Sequence, residues 1–358
     1  MNVNVAQEKK FGEKLFLDVL DKRKGNRIPF WFMRQAGRYL PEYRELRASK
    51  NGFLDMAMDS KSATEITLQP VRRYGMDAAI IFSDILVVPY ALGQNLDFIA
   101  GEGPKLDPLK NAQDIARLGY KEFDVKLSPV YEALSNVRTA LRQEGFDHTA
   151  LIGFAGSPWT VATYMIEGGS SRDFLNVKKM AYADPENFSK LIDLLVEATS
   201  SYLIKQISAG AEAVQLFDSW AGVLDPDQFR RWVIEPTRRI VKLVREIHPH
   251  TPIIGFPKGA GPNYLVYVQD TGVTALGLDA QVSTKWAARA LQPLVPVQGN
   301  LDPICLLAGG DSLILAIERI IADLKEGPFI FNLGHGINKD TPPEHVEILV
   351  NTIRNSNL

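Results

Sequence analysis

ALIGFA (150–155) and AVQLF (213–217) are short, nearly unbroken apolar runs, and DPENFSKLIDLLVEATSSYLIK (184–205) lies between them. The middle segment has the marks of an amphipathic helix. Asp184 suits an N-cap, and Pro185 suits the first helical position, where its missing N–H removes no helical hydrogen bond. Phe188, Leu191, Ile192 and Leu195 then recur at i, i+3, i+4 and i+7, and Tyr202 and Leu203 extend the stripe. The flanking runs do not alternate polar with apolar, which fits parallel strands buried on both faces.

The same alternation continues in both directions. Further strands are predicted at 28–33 (IPFWFM), 78–82 (AAIIF), 252–256 (PIIGF), 274–278 (TALGL), 295–299 (VPVQG) and 328–333 (PFIFNL). Asp225-Pro226 opens another helix, with Phe229, Val233, Ile240, Leu243, Val244 and Ile247 on its apolar side, and a third runs over 311–326 from Asp311. Eight strand–helix units predict a closed (β/α)8 barrel of the TIM type, with an open doubly wound sheet as the alternative. No linker or low-complexity tract divides residues 1–358, so one domain is expected. Residues 83–149 exceed a single connection, so extra helices are expected there as well as near the N-terminus.

Charge and composition exclude several classes. The net charge of −2 over 358 residues gives no global field for nucleic acid or an anionic membrane, so an anionic ligand needs local cations. The single cysteine, Cys305, rules out an intrachain disulfide and a thiolate-rich zinc site. No apolar run approaches the roughly 18 residues of a membrane span, and residues 1–10 lack an export-signal core; a cytoplasmic protein is expected. Phosphate loops, GxGxxG, GxSxG and HExxH are all missing.

Barrel enzymes carry their chemistry at the C-terminal ends of the strands. There this sequence places Arg34 and Arg38, Ser83-Asp84, GSPWTVATYM (156–165), Asp218-Ser219-Trp220, Pro257-Lys258-Gly259, Asp279, Asn300-Leu301-Asp302 and Gly334-His335-Gly336. Each has a plainer reading. Arg34 and Arg38 fit surface ion pairs, although they directly follow an apolar run. Arg44 and Arg47 fall on a helix, where a solvated face is common. Asp84 fits a helix cap, yet Ile85, Leu86 and Val87 surround it with apolar groups that make an unpartnered carboxylate costly. Asp218, Asp279 and Asp302 are equally compatible with caps, and His335 with a turn between glycines.

Seven stretches together carry a family resemblance: FMRQAGRYLPEYRELR (32–47), IIFSDILVVPYALG (80–93), GFAGSPWTVATYMIEGGSS (153–171), LFDSWAG (216–222), GFPKGAG (255–261), VQGNLDP (297–303) and FNLGHGI (331–337). In order and without a missing block, they closely resemble the uroporphyrinogen decarboxylases of heme and chlorophyll biosynthesis. The resemblance implies a homodimer of distorted single-domain barrels that decarboxylates the four acetate arms of uroporphyrinogen with no metal or organic cofactor. It implies that Asp84 binds the pyrrole N–H groups and that Arg34, Arg38 and Arg47 meet substrate carboxylates. Tyr164, Ser219 and His335 are implied as further contacts and Phe217 as part of the wall. Asp84, Arg34 and Tyr164 are the candidates for the chemistry itself. Two other functions compete: a corrinoid- or thiol-dependent methyltransferase on the same barrel, which requires zinc ligands, and a tetrapyrrole carrier that does no chemistry.

Overall fold

The computed structural model describes residues 14–23, 25–99 and 103–356. In chain order the strands are β1 (Ala78–Ile80), β2 (Leu96–Ile99), β3 (Gly103–Leu106), β4 (Ala150–Gly156), β5 (Ala213–Asp218), β6 (Ile253–Pro257), β7 (Ala275–Gly277), β8 (Val297–Leu301) and β9 (Phe329–Leu333). β2 and β3 pair as an antiparallel hairpin, and the other seven form one parallel sheet in the order β1-β4-β5-β6-β7-β8-β9. Right-handed helical crossovers suit such consecutive parallel neighbours.

The first predicted strand, 28–33, departs from the expectation. It contributes only a parallel bridge, Phe30 to Phe331, and lies between the two edges of the sheet. On one side Phe331 N–H donates to Pro29 O (2.8 Å) and Trp31 N–H to Phe331 O (3.3 Å). On the other, Asp77 N–H donates to Phe30 O (3.0 Å), while Phe30 N–H donates to the Asp77 carboxylate (3.0 Å). The physical reason is local. Pro29 has no N–H for a ladder, and a side chain replaces the backbone acceptor that Phe30 would otherwise need. Seven regular strands and one irregular segment therefore curl into the TIM-like barrel.

Side chains alternate along each strand. Ala78, Ala150, Ala213 and Ala275 begin β1, β4, β5 and β7 and point inward, where Phe16, Val19 and Leu20 of helix Leu15–Leu20 pack against them. Small residues at the base leave room for that helix, which closes the lower end. Above this layer Trp31 Nε1 donates to Gln298 Oε1 (3.1 Å) and Gln298 Nε2 to Gln215 Oε1 (2.7 Å). Higher still, Phe154, Phe217 and Phe256 meet edge to face, with centroids 5.5 and 6.0 Å apart. That aromatic layer is the floor of the upper mouth.

The outer helices follow the predicted patterns with two corrections. Asp184 accepts from Asn187 N–H and caps helix Pro185–Ser208, whose apolar stripe is buried as read. Asp225 likewise caps Pro226–Phe229, but the helix does not run on evenly. A wide π turn at Arg230–Ile234 separates it from Glu235–Ile247. Pro236 lacks the N–H that would close the bond to Trp232, so the backbone widens there. The change of phase leaves Ile247 60 % exposed rather than on the buried side. Within 83–149 the extra helices Val87–Ala91 and Ala112–Ala116 are present, together with the β2–β3 hairpin that no pattern announced. Helix Phe123–Gln143 then packs on Ser60–Tyr74.

Candidate active site

Asp84 stands just beyond β1. Its Oδ1 accepts the Leu86 N–H (2.8 Å), so the local cap reading holds for one oxygen. Oδ2 accepts no hydrogen bond among the described residues. The surroundings are apolar, and this desolvation pushes its pKa up to about 6 against the pull of the Leu86 N–H and of the Arg34 guanidinium. A carboxylate with one free oxygen facing the mouth is ready to accept an N–H from a ligand.

Arg34 ends the 28–33 segment in the left-handed region, at φ 58°. A non-glycine residue held there stores strain. The conformation sends its side chain across Gly336: a Cβ at that position would come within 2.4 Å of Arg34 Cδ. Glycine at 336 is therefore what leaves room for the guanidinium. Arg34 acts electrostatically on Asp84, Tyr164 and His335, which places all four in one mouth.

Tyr164 lies on helix Pro158–Glu167, where burial raises the pKa of its phenol, as does the charge of Asp84. Its ring is 6.2 Å from that of Trp220. His335 is held as a neutral imidazole: burial, then Lys258 and Arg34, lower its pKa to about 4. Its Nδ1 accepts the Gly336 N–H (2.7 Å), which puts the ring proton on Nε2 as a donor. Ser219 follows β5 at the rim, and Phe217, one residue inside the strand, belongs to the aromatic floor.

Two further predicted residues gather around Tyr43, whose ring lies 5.8 Å from that of Phe82, two residues before Asp84. Arg38 and Arg47 both flank the phenol of Tyr43, and Arg38 lines an open groove with Arg44, Lys339 and Thr341. Arg44 Nη1 donates to the carbonyls of Arg38 and Tyr39 (both 2.9 Å) and is a brace for that turn.

The remaining strand-end aspartates are structural. Asp302 caps helix Pro303–Ala308 through Ile304 N–H (2.8 Å). Asp279 accepts from Gly259 N–H (2.7 Å), Tyr264 Oη (2.7 Å) and Gln281 N–H (2.8 Å), tying the loops after β6 and β7 together. Asp218 points outward, away from Phe217, and takes the Thr160 hydroxyl at 2.5 Å. Burial pushes its pKa up to about 7. Thr160 in turn accepts the Trp220 N–H (3.1 Å), so this pair fixes the turn that carries Ser219 and Trp220. Lys258, noted at its strand end but given no role from sequence, also reaches the mouth, beside Trp220 and His335.

Among the described residues no three His, Cys, Asp or Glu side chains gather as a metal-holding group. The arrangement offers instead a buried anion beside cations, two hydrogen-bond donors and an aromatic floor. It can hold a flat, N–H-bearing, carboxylated ring and stabilise positive charge on that ring.

Residues 12–356 match the family described as uroporphyrinogen decarboxylase (URO-D). The uroporphyrinogen decarboxylase of Erythrobacter litoralis is 53% identical over 341 residues, covering 95% of this chain and 98% of the relative. That of Rhodospirillum rubrum is 52% identical over 342 residues, covering 96% and 97%. Among solved structures, a methyltransferase from Methanosarcina mazei superposes with a TM-score of 0.77 over 96% of this chain and 99% of its own. At 18% identity that likeness shows the barrel alone.

Proposed function

This chain belongs to the uroporphyrinogen decarboxylase family, and from that premise we propose how its strand-end residues divide the work. The protein is a carboxy-lyase of porphyrin biosynthesis, and its substrate is uroporphyrinogen. The observation that carries the assignment of roles is the free, poorly solvated Oδ2 of Asp84 in a mouth shared with Arg34, Tyr164 and His335.

Loss of CO2 from an acetate arm leaves an electron pair that needs a sink. Protonation of the adjacent ring carbon turns the pyrrole into an iminium-like cation. The C–C bond to the carboxylate then breaks, CO2 departs and the pair neutralises the ring. The exocyclic carbon takes a proton and the ring carbon gives one up, leaving a methyl group and a restored pyrrole. Net, one carboxylate is replaced by one proton. The substrate itself serves as the electron sink, so the scheme calls for no added cofactor.

Asp84 accepts the pyrrole N–H groups and stabilises the ring cation as it develops. Arg34 orients the departing carboxylate with its planar fork, and Arg38 and Arg47 hold carboxylates farther out. Tyr164 and the Nε2–H of His335 donate to acetate or propionate oxygens. Guanidinium is a poor acid, so Tyr164 or solvent is the better proton source. Ser219 borders the rim, and Phe217 supports the face of the macrocycle. The described residues act as one catalytic domain, a reading supported by the bridge of segment 28–33 to β9 near the other end of the sequence, and a cytoplasmic location rests on the family alone. No helix of the described residues is long and apolar enough to cross a membrane.

The test is anaerobic incubation with enzymatically made uroporphyrinogen after exhaustive dialysis against chelator. Stepwise loss of four carboxyl groups is expected, ending at coproporphyrinogen. Binding without loss would leave a carrier, and activity that returns only with zinc would revive the methyltransferase type of site.

The enzyme assembles as a homodimer, a reading that rests on the family. Sedimentation at micromolar concentration should return twice the chain mass of 39.8 kDa. A monomer mass there would remove it.

A further inference from the structure

Lys258 has no part in the scheme above, yet its backbone is fixed at both its N–H and its carbonyl. Its N–H donates to Asp218 O (3.0 Å), across the β5–β6 pair, and its carbonyl accepts the Gly222 N–H (3.0 Å). A Cβ at Gly222 would lie only 2.4–2.7 Å from the backbone of Gly259, so these two strand ends pack with no side chain between them. The side chain is half-buried. Its ammonium sits 5.9 Å from the centre of the Trp220 ring and bears on His335 more strongly than Arg34 does.

No carboxylate of the described residues pairs with it. Among the described residues, Lys258 Nζ makes no ion pair and no side-chain hydrogen bond. Asp279, at the next strand end, is occupied by Gly259, Tyr264 and Gln281. A partly desolvated ammonium without a counterion costs stability unless a ligand supplies the anion. The Trp220 ring compensates in part, since a cation near an indole face is attracted by the negative face of the ring.

Position decides which anion. In the strand order, β6 lies on the far side of the barrel from segment 28–33, which carries Arg34. Uroporphyrinogen bears carboxylates all around its perimeter. A disc gripped by arginines on one edge presents another carboxylate to the opposite wall. We propose that Lys258, backed by Trp220, forms a second carboxylate subsite that binds the edge of the macrocycle remote from the arginine clamp. Lys258 is thus a substrate-binding residue rather than an acid in the reaction. The inference rests on the decarboxylase reading above.

The experiment compares wild type with Lys258→Met, which keeps an unbranched apolar stem and removes the charge. Lys258→Gln serves as a second neutral variant should Met impair folding, and Lys258→Arg restores a cation. The neutral variants should raise KM for uroporphyrinogen about tenfold, the loss of one charge-assisted hydrogen bond, while kcat stays within about twofold. Their KM should also depend less on salt than that of wild type, because one attraction has gone. Lys258→Arg should recover most of the affinity. Unchanged KM in both neutral variants, or a loss confined to kcat, overturns the subsite. A wild-type enzyme that removes no carboxyl group would instead sink the decarboxylase reading, and binding of the octacarboxylate to the same variants would still report on Lys258.

Discussion

Asp84→Asn should lower kcat/KM on the order of a hundredfold or more, the scale of removing one preorganised electrostatic group from a catalytic site. The substitution separates charge from shape. Asn keeps the size and keeps an oxygen for the Leu86 N–H, which Asp84 accepts at 2.8 Å. It removes the negative charge opposite the developing ring cation and turns an N–H donor toward pyrrole donors. Asp84→Glu retains the charge one methylene away and should keep more activity than Asn. The pH profile adds an independent check. Burial raises the Asp84 pKa to about 6. Because the ionised form is the active one, wild-type kcat/KM should fall as pH drops through about 6. That limb should vanish in the Asn variant. Stability should move the other way. A carboxyl whose folded pKa lies above its unfolded value makes the native state less stable once pH exceeds the unfolded pKa. At neutral pH the Asn variant should therefore melt no lower than wild type. An Asn variant that is folded and turns over like wild type would reduce Asp84 to a cap.

Arg34→Ala should cost kcat/KM about tenfold to a hundredfold, the range for a charge-assisted hydrogen bond to a substrate carboxylate. Arg38→Ala should also impair turnover, but less, since Arg38 lines the neighbouring groove with Lys339 and Thr341. Lys at 34 should rescue only partly, for a point charge lacks the fork. A second consequence follows from the field in the mouth. Arg34 holds the Asp84 pKa down, so without it the acid limb of kcat/KM should shift to higher pH. Arg34→Gly gives a further separation. Gly relieves the left-handed strain at φ 58° but adds freedom to the unfolded chain, and the two effects of about 1 kcal/mol offset each other. Its thermal midpoint should stay within about 3 °C of wild type while activity is lost. Normal kcat/KM in Arg34→Ala, or an acid limb that does not move, would dissociate Arg34 from both the clamp and Asp84.

Some elements of the fold are fixed by near neighbours in the chain and others by distant ones. Each predicted strand after the first appears within a few residues of its place, because a strand buried on both faces must be continuously apolar. Asp184 and Asp225 cap helices as read, since an N-cap is satisfied within three residues of itself. Segment 28–33 failed as a regular strand because Pro29 and the Asp77 carboxylate, distant in sequence, jointly replace its ladder. The π turn had its cause in view at Pro236, but its effect on Ile247 needed the surrounding packing.

The alternation of strands and helices, the strand ends where polar residues gather and, through seven motif stretches in order, the family were all legible in the residues alone. Those follow from near-neighbour rules and from motif identity. Which strand-end groups share the mouth depends on the packed barrel. Phe217 turns inward and Asp218 outward, although both faces of β5 are buried and its pattern favours neither. Arg34 meets Asp84, Tyr164 and His335 only because Gly336, 302 positions away in the chain, leaves its side chain room to cross. Lys258 makes no ion pair among the described residues, while Asp279 at the next strand end accepts from three other donors. Direction, proximity and the occupancy of partners arise when the sheet curls and brings distant strand ends together, and no local spacing encodes them.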